Sequence, residues 1–176
     1  MIEHSLELAD IFGTKQLRMF SGRMPKGKSP YDYTDEALRR TEIMVKMAAR
    51  KGMVLVHENE GSMYGGMADC CLGLMKEFAG ENYGTTFDFA NFVQCGQDTL
   101  EAYEMLAPYI KHVHVKDALA ENSKVVVNGT GNGHLGEIFK RLDADGYTGY
   151  LSLEPHMFDG EASFVASLNA LNQLLA

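Results

Sequence analysis

Positive charge is scarce in this chain: 16 Lys and Arg stand against 24 Asp and Glu, giving a net charge of −8 and a pI near 5.2. Affinity for nucleic acid comes largely from Lys and Arg neutralising phosphates, so such a chain is poorly suited to it and small-molecule chemistry is favoured. Cysteine is scarce as well. Cys70, Cys71 and Cys95 are odd in number and lack zinc-ligand spacing, which argues against a disulfide framework and for reduced, buried thiols in a cytoplasmic protein. No apolar run approaches the roughly 20 residues that cross a bilayer. The first twelve residues, interrupted by Glu3, His4, Glu7 and Asp10, lack the apolar core and cationic start of a signal peptide. Neither nucleic acid nor a membrane is therefore expected as a partner. There is also no long polar or low-complexity tract, and 45% apolar content suits one core, so a single domain over residues 1–176 is expected.

What the chain does have is alternation. Helical spacing of Ile2, Leu6 and Ala9 closes at Gly13, and Leu17–Ser21 reads as a strand. After a Gly-, Pro- and Lys-rich loop over 22–33, Thr34 is expected to cap a helix through Leu38, Met44, Val45 and Ala48 that stops at Gly52. Strand 53–58, helix 67–79, strand 85–89, helix 98–107, strand 111–116, a loop over 117–133, helix 134–144, strand 149–154 and helix 161–175 follow. The Met-rich stretch 44–47 and the aromatics Phe78, Tyr103 and Phe139 fall at helical core spacing.

Strict βα alternation implies a parallel sheet, either doubly wound or part of a (β/α)8 barrel. Strand parity chooses between them. A sheet covered on both faces is apolar on both, yet here one parity carries Thr86 and Asp88; His112, His114 and Lys116; Ser152 and Glu154. The other carries Phe87 and Phe89; Val113 and Val115; Leu151 and Leu153. One face thus meets helices and the other lines a polar interior that becomes charged at the strand ends, where TIM barrels place their active sites. The expected fold is α/β, an incomplete (β/α)8 TIM barrel of about five parallel βα units.

Four successive strands end in a metal-ligand type: Glu58 in His-Glu-Asn-Glu, Asp88 in Phe-Asp-Phe-Ala-Asn, His114 in His-Val-His-Val-Lys-Asp and Glu154 in Ser-Leu-Glu-Pro-His. Singly, each would pass for a helix cap or a core histidine. Repeated on four strands converging on one mouth, they form an oxygen-rich donor set suited to Mn²⁺, Mg²⁺ or Co²⁺, and also to Zn²⁺.

The segments Val54–Glu60 (VLVHENE), Thr86–Gly96 (TFDFANFVQCG), His112–Ala118 (HVHVKDA) and Gly146–His156 (GYTGYLSLEPH) resemble the xylose-isomerase-like sugar phosphate isomerase/epimerase family. The resemblance covers nearly the whole chain and implies that Glu58, Asp88, His114 and Glu154 bind the metal. It also implies that Glu58 and Glu154 are the acid/base pair, as in the family's ketose 3-epimerases. The chemistry is consistent: a metal that polarises a carbonyl makes the adjacent C–H acidic, and two carboxylates can then remove and return a proton through an enediolate. The implied substrate is a sugar or sugar phosphate, although no obvious phosphate-binding loop is present.

Four further residues are candidates for substrate contact: Asn91, at a position where some ketose epimerases of the family have a histidine; Lys116, on the inward parity of His114; His134, after the run Gly129-Thr-Gly-Asn-Gly133; and His156, after Pro155. That glycine run lacks the spacing of a dinucleotide fingerprint, so no nicotinamide cofactor is implied. His57 and Glu60 are expected in structural hydrogen bonds. An inosose-dehydratase-like lyase and an endonuclease IV-like hydrolase share the scaffold; residues 117–134 lack the nuclease's Asp-Arg-His, and the acidic charge disfavours it. A non-catalytic metal- or sugar-binding remnant is the third class. Five strands do not close a barrel, so Leu17–Ser21 and Gly149–Glu154 are expected at sheet edges, and association into a homodimer or higher oligomer is expected to cover them.

Overall fold

The computed structural model describes residues 2–157 and 159–176. Its elements run in chain order as α1 (Ile2–Phe12), β1 (Gln16–Met19), α2 (Thr34–Arg50), β2 (Val54–Glu58), α3 (Ala68–Phe78), β3 (Tyr83–Asp88), α4 (Phe89–Gln94), α5 (Thr99–Leu106), β4 (Ile110–Val115), β5 (Asp117–Ala118), β6 (Val125–Val126), α6 (Leu135–Ala144), β7 (Leu151–Leu153) and α7 (Gly160–Leu174). Five strands form one sheet in the order β1-β2-β3-β4-β7, with every pairing parallel. This half-barrel is the expected fold, and β1 and β7 are its edges.

The apolar parity turns toward the helices. Phe87, Val113 and Val115 are fully buried, and the Phe87 ring meets Phe89, Phe92 and Tyr103 at centroid distances of 5.2, 5.1 and 6.0 Å. Phe89 continues the aromatic contacts to Phe139 of α6 at 5.6 Å. These rings bury large area at each helix–sheet contact, and their geometry, edge-on in all but the tilted Phe87–Phe92 pair, adds about 0.5–1.5 kcal/mol per pair beyond burial. The methionines at 44 and 47 and Phe78 pack on the core while partly exposed.

Local chemistry explains where the elements depart from expectation. Thr34 does not cap α2: a short 3-10 turn over Pro30–Tyr33 leads straight into the helix, and the Thr34 hydroxyl donates back to Tyr31 O instead. The strand expected at 85–89 begins at Tyr83 and stops at Asp88, because the Asp88 carboxylate accepts from Asn91 N at 2.8 Å and starts α4 at Phe89. The expected loop over 117–133 contains the small antiparallel ladder β5–β6. The last strand keeps three of its expected residues. All three cysteines are free; Cys70 and Cys71 are buried, but Cys95 is only half-buried.

Candidate metal centre and active-site mouth

Register brings the charged strand ends to one level. Asp88 pairs with His114 across β3–β4, His114 pairs with Ser152 across β4–β7, and Glu58 pairs with Thr86 across β2–β3. One donor atom from each of Glu58, Asp88, His114 and Glu154 lies within 4.8 Å of all the others. His114 Nδ1 is central: 2.9 Å from Glu58 Oε1 and 3.8 Å from both Asp88 Oδ2 and Glu154 Oε1. Glu58 and Asp88 are buried, His114 nearly so, and the Glu154 side chain is about one-fifth exposed.

Buried carboxylates this close repel and lose hydration, so counter-charge is required. Lys116, 3% exposed, supplies much of it, lying 2.7 Å from Glu154 Oε2 and 2.9 Å from Asp88 Oδ2. Burial nevertheless pushes Asp88 up to about 7 against the pull of Lys116. Burial also acts to raise Glu154, but its hydrogen bond to Lys116 and the positive charges around it win, and the carboxyl sits below its usual range. For His114 burial opposes protonation, yet the Glu58 hydrogen bond and the three surrounding carboxylates raise it.

The residues fit a divalent ion. Three hard oxygens and one imidazole nitrogen converge, and buried Asp88 Oδ2 has Lys116 Nζ at 2.9 Å as its close partner among the described residues. Asp88 therefore does both things expected of such a residue: Oδ1 caps α4 and Oδ2 faces the cluster.

Asn91 N donates to that cap, and its side-chain nitrogen donates to Asn59 O at 2.8 Å, leaving Asn91 buried on the wall of a cavity of about 330 Å³. Lys116 and His156 line the same cavity, with the His156 side chain 62% exposed at the rim and 3.9 Å from Glu154 Oε1. His134 is not among its lining residues. It is an exposed residue in the left-handed region (φ 52°) at the start of α6, its Nδ1 3.0 Å from Thr99 Oγ1, so the expectation of a substrate contact is withdrawn. Glu60 holds Gly61 N as expected. His57 is fully buried behind β2, its Nδ1 3.9 Å from Cys71 Sγ and its Nε2 without a partner among the described residues, and burial lowers it to about 4.

Sequence reasoning missed three contributors. Arg18, on β1, places Nη1 2.8 Å from Glu58 Oε2 and 3.8 Å from Glu154 Oε1. Its inward parity on the strand before Glu58 was the available signal. Buried Asn59 ties β2 to β3, accepting from Asp88 N at 2.9 Å and donating to Asp88 O at 3.0 Å. Buried Asp117 explains the glycine run: it accepts from the backbone N–H of Gly129, Gly131 and Gly133, each at 2.9 Å. A Cβ at Gly131 would lie 2.5 Å from Asp117 Oδ1, so only a glycine backbone wraps that carboxylate so closely.

Comparison with known proteins agrees with this fold. The family model described as xylose isomerase-like TIM barrel matches residues 1–174, and the chain belongs to that family. An inosose dehydratase of Clostridium perfringens is 27% identical over 163 aligned residues, covering 82% of this chain and 53% of that protein. The crystal structure of a xylose isomerase domain protein from Planctomyces limnophilus superposes with a TM-score of 0.77 at 27% identity, over 98% of this chain and 62% of that one. A D-tagatose 3-epimerase-like protein shares the fold with a TM-score of 0.83 at 22% identity, over 99% of this chain and 68% of that one. The chain thus spans about half the length of the curated dehydratase it matches.

Proposed function

We propose that this family member binds a divalent metal through Glu58, Asp88, His114 and Glu154 and transfers a proton at the carbon beside a carbonyl in a sugar or sugar-derived ketone, as an isomerase or epimerase. The observation that carries the reading is the convergence of those four donor atoms within 4.8 Å, with Glu58 and Glu154 on either side of Asp88 and His114 in the sheet order. When bound, the ion supplies polarisation of the substrate carbonyl, which acidifies the neighbouring C–H. Glu154, held in its ionised form by Lys116, is suited to accept a proton, and Glu58 on the opposite flank to exchange one with the other face. Asn59 fixes β3 against β2, so the spacing of Glu58 and Asp88 survives substrate entry. Asn91 and the rim residue His156 line the cavity, which supports a role for both in binding hydroxyls.

A dehydratase is the second reading, favoured by the inosose dehydratase relative that covers 82% of this chain. It begins with the same proton abstraction; the second carboxyl then protonates a departing hydroxyl.

Incubation of the chain with Mn²⁺ or Mg²⁺ in deuterated water, against ketoses, aldoses, their phosphates and an inosose, tests both. Deuterium at the carbon of a recovered or isomerised sugar is the expected result. A product lighter by one water marks the dehydratase. Neither outcome, with metal bound, would leave a binding protein.

A further inference from the structure

We propose that Arg18 forms an anion subsite in the mouth, so that the substrate carries a compact oxyanion, a carboxylate or a phosphate, and is not a neutral sugar. This deepens the metal-dependent reading above and rests on it.

Arg18 does more than neutralise Glu58. Glu58 Oε1 already has His114 Nδ1 at 2.9 Å, and Arg18 uses a single nitrogen, Nη1, on Oε2. Its other two nitrogens have no hydrogen-bond partner among the described residues, and the side chain is half-exposed on the wall of the 330 Å³ cavity. The guanidinium carbon lies 4.8 Å from the centre of the Phe20 ring, a contact that fixes the plane of the group. A held, planar fork with unused donors suits paired oxygens far better than a lone lysine would.

Charge points the same way. Lys116 is buried and committed to Asp88 and Glu154. Together with a divalent ion it balances the three carboxylates, with His114 neutral as a ligand. Arg18 is then one positive charge in excess beside the substrate cavity. The remaining acidic wall residue, Glu60, offsets that charge in the overall sum, but its oxygens accept from Gly61 N and Asn91 Nδ2, and among the described residues no ion pair joins it to Arg18. A monoanion would meet the unused donors of Arg18 directly, in a partly desolvated mouth where such a contact counts more than in water.

The test is calorimetric titration of the full chain with glucuronate, glucose 6-phosphate and glucose, after Mn²⁺ binding has been measured by water-proton relaxation. At least one anion is expected to bind about tenfold more tightly than glucose, and whichever does so names the group. Arg18→Gln should bring the ratio of that anion's affinity to glucose's down to about one, whatever it does to both through Glu58; Arg18→Lys should retain part of the preference. Melting curves confirm that both variants fold. Equal affinity of the wild type for all three ligands, no binding of either anion, or an anion-to-glucose ratio left unchanged by Arg18→Gln would each overturn the subsite. Failure of the wild-type chain to bind Mn²⁺ would overturn the metal reading and the subsite with it, whereas Mn²⁺ binding without anion preference overturns the subsite alone.

Discussion

At the N-terminal ends of the strands lies a cavity of about 700 Å³, lined by Gln16, Val54, Ile110 and the turn from Asp145 to Gly149. At the C-terminal ends lies one of about 330 Å³. The larger is organised by ordinary contacts: Tyr103 donates to Asp145 at 2.8 Å, and the Tyr147 hydroxyl donates to Tyr150 O at 3.0 Å. The smaller is lined by Arg18, Glu58, Glu60, Lys116, Glu154 and His156, and Asp88 and His114 stand beside those residues, in contact with Lys116 and with Glu58 and Glu154. Among the described residues, the C-terminal cluster is the group of three or more metal-ligand side chains within reach of one another. Volume is thus a poor guide to chemistry here, and a cluster of closely spaced buried charges is a better one. Parallel strands explain the asymmetry, since every strand delivers its last inward residue to the same rim.

The hardest blow to that contrast falls on the rim carboxylates. Glu154→Gln should lower proton exchange by about a hundredfold or more through loss of an acid/base group, and weaken metal binding as well. Near-normal exchange in that variant would remove Glu154 from the pair.

Lys116→Met should come next, because it strips the counter-charge from Asp88 and Glu154 while keeping the volume. Breaking a buried pair typically costs about 3–5 kcal/mol. Asp88, raised to about 7, already costs stability as pH rises from the ordinary carboxylate range toward that value. Without Lys116 it titrates higher still, so the loss measured by urea unfolding of the metal-free protein should be larger at pH 8 than at pH 6. A pH-independent loss would show that packing, and not charge, is what Lys116 provides.

His57 separates buried charge in the mouth from buried charge behind it. Burial lowers His57 from 6.5 to about 4, so between those values the unfolded chain binds the extra proton and the folded one does not. The contribution is therefore present above about pH 6.5 and lost as pH falls toward 4. It amounts to about 3 kcal/mol, each pH unit between the two values being worth about 1.4 kcal/mol. Subtracting the denaturation profile of His57→Gln from that of the wild type isolates this part. Parallel profiles would mean that His57 is hydrated or paired in solution.

Legibility in sequence followed the same division. The four clustered donors could be read because each ends a strand of inward polar parity, a pattern local to a few residues. Arg18 offered only its inward parity, since its partner Glu58 lies 40 residues away and the contact exists only once β1 is docked on β2. The helix α4 escaped because six residues are too few to show a period, and its cap was the very aspartate assigned to the metal. His134 was misplaced for a backbone reason: its left-handed conformation turns the chain at the start of α6 and directs the ring to Thr99.

The smallest expected effect belongs to the far end and is the sharpest check on the comparison. Tyr147→Phe deletes the hydroxyl that donates to Tyr150 O in the turn before β7. The Tyr147 ring, packed against Gly149, stays in place, since a Cβ at that glycine would collide with it and the phenyl fills the same space. What is lost is one partly exposed neutral hydrogen bond, about 0.5–1.5 kcal/mol. For a chain of this size that corresponds to a fall in melting temperature of about 2–4 °C per kcal/mol. Mn²⁺ affinity and proton exchange should not change, because the turn reaches the ligands only through β7, whose pairing with β4 is held by its own backbone. A loss of exchange in Tyr147→Phe beyond the few-fold expected from reduced stability would show that the N-terminal cavity is coupled to the mouth, and the division between the two ends would fail.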